Sequence, residues 1–183
     1  MANEIRDTHK VDTATIVADL SDADNIGKIV KKVKALNHEI GVVVNNVGMM
    51  GPGYNNMADM EKKAVKVKLM TIFFSCTDIT WSCQEIITVN VLPLTMFCHA
   101  FLPDMAKRGK GAIINISSVA GLVPVPYLAV YSATQHYISA LTQAIAQEYS
   151  GLGVVIQEVR SLSQRKSGFL YAVLSLLGRP WAG

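Results

Sequence analysis

The chain has 183 residues, of which 50% are hydrophobic and 17% are charged. This length suits one domain, and the apolar content excludes a disordered polar chain because it is sufficient for a packed core. The formal net charge of +3 gives no indication of nucleic-acid binding, and the lysines within residues 62–68 are interpreted as a solvated face.

The cysteines and histidines do not have the spacing of a metal site or of a disulfide framework. The cysteines are an odd number without a Cys-x-x-Cys pair, and the four histidines are scattered. We therefore predict no metal and a reducing compartment. The first ten residues are polar, unlike a signal peptide, and the apolar tract at 169–177 is shorter than the roughly 20 residues that span a bilayer. The sequence as given predicts no transmembrane segment.

The first part of the chain predicts two strands and a helix. Residues 13–19 (TATIVAD) form a short β-branched run, which is typical of a strand. Residues 21–36 open with Ser and Asp and then repeat apolar residues at helical spacing, which predicts a capped helix with one apolar face. Residues 41–46 (GVVVNN) predict a strand that is buried on both faces of a parallel sheet.

The second part of the chain continues this alternation. Residues 81–107 have helical spacing, with Pro93 as a predicted kink or boundary. Residues 111–116 (GAIINI) predict a strand, 131–149 a long helix and 153–159 (GVVIQEV) a further strand. Strands that alternate with helices indicate an α/β fold with a doubly wound parallel sheet.

Polar residues stand at the ends of these predicted elements in a distinctive order. Asn45-Asn46-Val47-Gly48 ends a strand, Asn90 lies in a helix, Ser118 ends the next strand and Tyr131 opens the next helix. Ser118 lies thirteen residues before Tyr131, and Asn90 lies twenty-eight before Ser118. This order and spacing resemble the short-chain dehydrogenase/reductase family over about residues 13–159, most strongly over 114–134.

The resemblance implies an enzyme that moves hydride between NAD(P) and a carbonyl or alcohol. Ketone reduction requires a group that stabilises the developing alkoxide and supplies a proton, and a pair of hydroxyls does both. The resemblance implies that Tyr131 donates the proton, that Ser118 orients and polarises the carbonyl, and that Asn90 holds a water in a proton relay.

The implied cofactor is NADPH, with NAD not excluded. Asp19 would meet the adenine, and the other implied cofactor contacts are Asn46, Val47, Gly48 and Tyr131, at a sheet edge where such folds bind ligands. The family's glycine-rich turn, which places the pyrophosphate at a helix N-terminus, is not found in this sequence. We therefore expect an incomplete doubly wound, Rossmann-like parallel sheet that lacks the first βαβ segment.

One departure from the family changes the expected chemistry. A tyrosine ordinarily has a pKa of about 10, so a neighbouring cation is needed to favour its phenolate at neutral pH. The family supplies a lysine four residues later on the same helix face, and here that position is Gln135. A unit charge at about 4 Å is worth up to about 4 kcal/mol at an effective dielectric near 20, so we expect a badly slowed catalytic step. His136 is no substitute, because adjacent helical residues point about 100° apart.

Residues 1–183 are taken as one incomplete domain, with an insertion-like segment at 61–80 and a divergent tail at 160–183. Without the family's first two strands, residues 13–19 and 41–46 would become unpaired sheet edges. Either the early strand shifts to pair with the later one, or the exposed edges favour a partner, a second copy of the chain or aggregation.

Short motifs also indicate a branch of the family. Val47 in NNVG, the run GAIINISS and Pro124-Val-Pro126 resemble the 17β-hydroxysteroid dehydrogenase and very-long-chain 3-oxoacyl-CoA reductase branch. That resemblance implies reduction of a steroid or lipid ketone, as in fatty acid elongation, at the endoplasmic reticulum. A chain complete as given would instead be cytoplasmic.

The alternative from another class is a non-catalytic truncated isoform or pseudoenzyme that serves as an interaction module. Gln135 and the missing phosphate turn favour this alternative. Ser118, Tyr131 and Asn90 favour the enzyme.

Overall fold

The computed structural model describes residues 2–50, 83–161 and, as backbone, 172–174. The helices and strands in chain order are α1 (Ala2–His9), α2 (Ala23–Ala35), β1 (Val42–Asn45), α3 (Cys83–Arg108), β2 (Gly111–Ser118), a 3₁₀ turn (Val119–Gly121), α4 (Ala129–Glu148), β3 (Val154–Ser161) and β4 (Ala172–Leu174). The expectations for residues 61–80 and for most of the tail at 160–183 lie outside the described residues.

The described strands form one sheet in the order β1-β2-β3-β4. The first three are parallel, with Val43 opposite Ile113 and Ile113 opposite Ile156. The predicted α/β fold and these three strands are confirmed. The sequence did not predict β4, which pairs antiparallel with the end of β3.

The predicted strand at residues 13–19 is wrong, because residues 10–19 have no regular secondary structure. The segment does not pair with the outer edge of β1, which has no described partner strand. Its Val17 is 90% exposed. A β-branched run favours a strand chiefly through packing against neighbouring strands, and here that packing is missing.

Helices α2, α3 and α4 follow the predicted apolar periodicity, whereas α1 was not predicted. At the start of α2, the Asp22 carboxylate accepts a hydrogen bond from the Asp24 backbone N at 3.0 Å, which confirms the predicted cap. α3 continues through Pro93, so the proline is not a boundary. Asn90 and Leu94, on either side of it, are both buried.

Helices α3 and α4 cover one face of the sheet and enclose the main core, which comprises Leu94, Cys98, Phe101, Leu102, Met105, Ile113, Ile138, Ile145 and Ile156. On the other face of β1, Val42 and Val44 are more than half exposed. That exposure differs from the strand buried on both faces that the sequence predicted.

A buried polar row crosses the core beneath the cleft described below. Asn45 donates from Nδ2 to Asn115 Oδ1 at 2.8 Å, and Asn115 donates from Nδ2 to Thr142 Oγ1 at 2.9 Å. Thr142 in turn donates to the carbonyl oxygen of Ile138. The row joins β1, β2 and α4, so it fixes the relative positions of the elements that carry the candidate site.

Within the described ranges, α3 is the one helix long and apolar enough to cross a bilayer by length and composition. Core helices of sheet-containing domains meet the same criterion. In this molecule Phe101, Leu102 and Met105 of α3 pack into the core.

Candidate active site

A cleft with a volume of about 630 Å³ opens at the carboxyl ends of β1, β2 and β3. Ligands bind at this edge in open parallel sheets, because the loops there diverge and leave a crevice. The cleft brings together six of the residues that the sequence singled out: Asn46, Val47, Gly48, Ser118, Tyr131 and Gln135.

Ser118 is the last residue of β2, and its side chain lines the cleft. Its Oγ accepts a hydrogen bond from the Ala120 backbone N at 3.2 Å and so caps the 3₁₀ turn that follows. The hydroxyl hydrogen has no acceptor among the described residues. Ser118 can therefore donate a hydrogen bond to a carbonyl oxygen bound in the cleft.

Tyr131 lies in the first turn of α4 and is 8% exposed. Its ring packs in a cluster with Ala120, Leu128 and Met50. In the part of the chain that the structure describes, no group hydrogen-bonds its hydroxyl. The ring is thus fixed by packing, while the phenol remains available to a ligand.

Gln135 follows Tyr131 by one turn of α4 and also lines the cleft, although it is 4% exposed. Its amide makes no hydrogen bond to another described residue. The described lining of the cleft includes no lysine, arginine or histidine. His136 lies outside it and contacts the Ser132 carbonyl oxygen through Nδ1 at 3.0 Å. No described cation therefore takes the place of the family lysine.

Asn90 lies behind the cleft, in α3, and is 1% exposed. Its Oδ1 accepts from the Met49 backbone N at 2.7 Å, and its Nδ2 donates to the Met49 carbonyl oxygen at 2.9 Å. The second Nδ2 hydrogen reaches Thr134 Oγ1, also at 2.9 Å. The carboxamide thus holds the loop between Gly48 and Met50, two residues that line the cleft.

Asp19 is not brought to the cleft. Its carboxylate accepts hydrogen bonds from the Ser21 hydroxyl at 2.7 Å and from the Ser21 backbone N at 2.9 Å. These two contacts, the side-chain contact first, lower the pKa of Asp19. In this structure Asp19 stabilises the turn before α2, and its contact with adenine stays a prediction.

Two polar features carried no signal in the sequence: Ser161, which lines the cleft, and Glu158, which lies outside its described lining. Ser161 ends β3 directly opposite Ser118, and its buried Oγ has no hydrogen-bond partner among the described residues. Glu158 is 4% exposed and accepts hydrogen bonds of 2.5 Å from the hydroxyls of Ser117 and Ser139. Arg160 completes this network with contacts to both Glu158 carboxylate oxygens, at 2.6 and 3.1 Å.

The site residues fit the reactive end of a dinucleotide better than its phosphates. The start of α2 carries Asp22 as its cap and Asp24 in its first turn, and both would repel a pyrophosphate. The cleft itself offers hydroxyl and amide groups on Ser118, Tyr131 and Gln135. Within the described residues, no three His, Cys, Asp or Glu side chains form a group that could hold a metal.

Comparison with known proteins agrees with this geometry. The family described as short chain dehydrogenase matches residues 1–161. The chain therefore belongs to the short-chain dehydrogenase family.

Individual relatives indicate the branch within that family. The chain is 36% identical to the very-long-chain 3-oxoacyl-CoA reductase of Bos taurus and 34% identical to that of Homo sapiens, each over 159 residues. Each match covers 87% of this chain and 45% of the relative. The chain thus spans less than half the length of these curated relatives.

Solved structures support the fold. A short-chain dehydrogenase from Sphingobium yanoikuyae in complex with NADPH superimposes with a TM-score of 0.72 and 26% identity, over 90% of this chain and 56% of that chain. A metagenomic short-chain oxidoreductase in complex with NADP gives a TM-score of 0.71 and 27% identity, over 91% of this chain and 66% of that chain.

Proposed function

We propose that this chain carries the catalytic part of an NADPH-dependent reductase that acts on the ketone of a long-chain 3-oxoacyl-CoA. The observation that carries the proposal is the convergence of Ser118 and Tyr131 on one cleft at the carboxyl ends of the parallel strands. The names of the curated relatives support the substrate class, and the NADPH and NADP complexes of the structural neighbours support the cofactor. A steroid ketone is the second candidate substrate.

The reaction assigns separate roles to the two hydroxyls. NADPH, when bound, supplies hydride to the carbonyl carbon. The Ser118 hydroxyl donates a hydrogen bond to the carbonyl oxygen and orients it, and the Tyr131 hydroxyl delivers the proton to the same oxygen. The partly apolar cleft strengthens both interactions, because water screens them less there than in bulk.

Asn90 supports the site through the loop that it holds at Met49. Both Nδ2 hydrogens are already donated, to Met49 and to Thr134, so a water bound by this carboxamide would use the remaining lone pair of Oδ1. Asn46, Val47 and Gly48 would contact the cofactor from the end of β1.

Gln135 limits the rate in this proposal. A neutral amide can hydrogen-bond a ribose hydroxyl, but it cannot favour the tyrosine phenolate as a lysine does. We therefore propose weak activity for the chain as it stands. A location at the endoplasmic reticulum stays a prediction.

The second candidate function is a non-catalytic role as an interaction module, and the outer edge of β1 favours this function. That edge has no described partner strand, and Val42 and Val44 beside it are more than half exposed. An unpaired, uncharged strand edge is suited to pairing with another chain.

Titration of the full chain with NADPH, followed by cofactor fluorescence, separates the two candidates. The enzyme proposal predicts saturable binding and then loss of NADPH absorbance on addition of a long-chain 3-oxoacyl-CoA. Tyr131→Phe should bind NADPH with similar affinity but should not consume it. Absence of saturable binding would refute the enzyme proposal for this chain.

A further inference from the structure

A hydrogen-bonded path connects the first turn of α4 to the loop at residues 48–50, whose Gly48 and Met50 also line the cleft. Thr134 is 3% exposed, and its Oγ1 donates to the Tyr131 carbonyl oxygen at 2.7 Å. The same Oγ1 accepts from Asn90 Nδ2 at 2.9 Å. Asn90 then holds both the backbone N and the carbonyl oxygen of Met49.

We propose that Thr134 is a positioning residue for Tyr131, an inference that rests on the function proposed above. Thr134 touches no reacting atom. Its single hydroxyl holds the backbone of Tyr131 on one side and Asn90 on the other. The neighbouring Met50 packs against the cluster of Ala120, Leu128 and Tyr131, so the path holds the Tyr131 carbonyl oxygen directly and supports the packing around its side chain.

The physical requirement is a group at residue 134 that donates and accepts at once. Valine has nearly the shape of threonine but has no hydroxyl, so it would leave an Nδ2 hydrogen of Asn90 buried without an acceptor. That hydrogen can be satisfied again only if the carboxamide turns, which breaks its paired contacts with Met49. Serine keeps the hydroxyl and should preserve the path.

Thr95 offers a matched control on the same pair of helices. Its Oγ1 donates to the Val91 carbonyl oxygen at 2.8 Å and shares a hydrogen bond of 2.9 Å with the Tyr137 hydroxyl. Thr95 therefore joins α3 to α4 as Thr134 does, but neither Thr95 nor Tyr137 lines the cleft.

Hydrogen exchange of the Met49 amide in the full chain tests, without any cofactor, whether Thr134 holds the loop through Asn90. Thr134→Val should speed this exchange by about tenfold or more, because Asn90, which accepts from the Met49 amide, loses its hydrogen bond to residue 134. Thr134→Ser and Thr95→Val should leave it within about twofold of the parent chain. Equal exchange in Thr134→Val and Thr95→Val would overturn the proposal. If Thr134→Val does not fold, Thr134→Ala is compared with Thr134→Ser in the same way.

Steady-state kinetics of variants that also carry Gln135→Lys test whether Thr134 positions Tyr131 for the reaction. Thr134→Val should lower kcat about tenfold with little change in KM, and Thr134→Ser should restore it. An unchanged kcat beside faster Met49 exchange would refute positioning of Tyr131. If no Gln135→Lys chain consumes NADPH, the proposed function fails, whereas the exchange measurement still decides whether Thr134 holds the loop.

Discussion

Tyr131 and Gln135 lie one turn apart on α4, and both line the cleft at the carboxyl ends of the parallel strands. Both are nearly buried, so a charge at residue 135 would act on the phenol with little screening by solvent. The proposed chemistry therefore depends on this pair, because the described lining of the cleft holds no cation.

Gln135→Lys should raise ketone-dependent NADPH consumption by at least about tenfold, because the ammonium group favours the phenolate. The measurement is the steady-state rate of the full chain at saturating NADPH. Gln143→Lys makes the same change on an exposed part of α4, outside this cleft, and should have no effect. Equal rates for the two variants would show that the missing cation does not limit the reaction.

Asn115→Ala should lower the free energy of unfolding by about 2–4 kcal/mol, measured by urea denaturation. Asn115 is fully buried and links Asn45 to Thr142, so its removal leaves a buried donor and a buried hydroxyl without this partner. Gln157→Ala, in the neighbouring strand, should cost less than about 1 kcal/mol because that side chain is half-buried and makes no side-chain hydrogen bond to a described residue. Similar losses for both variants would contradict the importance of the polar row.

Gly121→Ala should destabilise the chain by about 1–3 kcal/mol, because overpacking forces the backbone apart. A Cβ at Gly121 would lie 2.8 Å from the Gln135 carbonyl oxygen and 2.9 Å from its carbonyl carbon. Gly27→Ala, in the interior of α2, meets nothing within 4 Å and should stabilise by about 0.5–1 kcal/mol. Thermal unfolding of both variants measures the effect, and shifts in the same direction would be inconsistent with this packing.

Burial of the Cys98 thiol should make the free energy of unfolding fall at alkaline pH. Burial raises the pKa of its thiol from 9.0 to about 11, so the folded state favours the neutral form. The stabilisation that comes from the neutral buried thiol is fully present below about pH 9 and is lost as the pH rises through about 11. The urea midpoint of Cys98→Ala should therefore fall less between pH 8 and pH 10.5 than that of the parent chain. An identical fall in both proteins would argue against a buried thiol.

The sequence predicts those helices and strands that the pattern of their own residues is sufficient to specify. β1 and β2 are continuous apolar runs, and α2 has both periodicity and a cap, so local pattern was sufficient. The segment at 13–19 has an equally suitable composition, but a strand also needs a neighbour, which composition does not reveal. The antiparallel β4 was missed because its three residues form too short a segment for a periodic pattern.

The residues of the candidate site also fall into those that the sequence predicts and those that only the folded chain brings together. The spacing of Ser118 and Tyr131 resembled a family motif, and the fold places both on one cleft. Thr134 and Ser161 carried no comparable signal, because their importance arises from contacts or positions between elements far apart in the chain. The contacts of Asn90 with Met49 likewise depend on the packing of α3, which spacing alone does not give.

Amide chemical-shift mapping during an NADPH titration of the full chain tests the central claim most directly. The account predicts saturable shifts at Gly48, Ser118, Ala120, Tyr131 and Gln135, which surround the cleft. A second cavity on α4 and β3, lined by Gln143, Ser150 and Gln157, should remain unaffected. Shifts confined to that second cavity, or no saturable shifts at the cleft, would contradict the account.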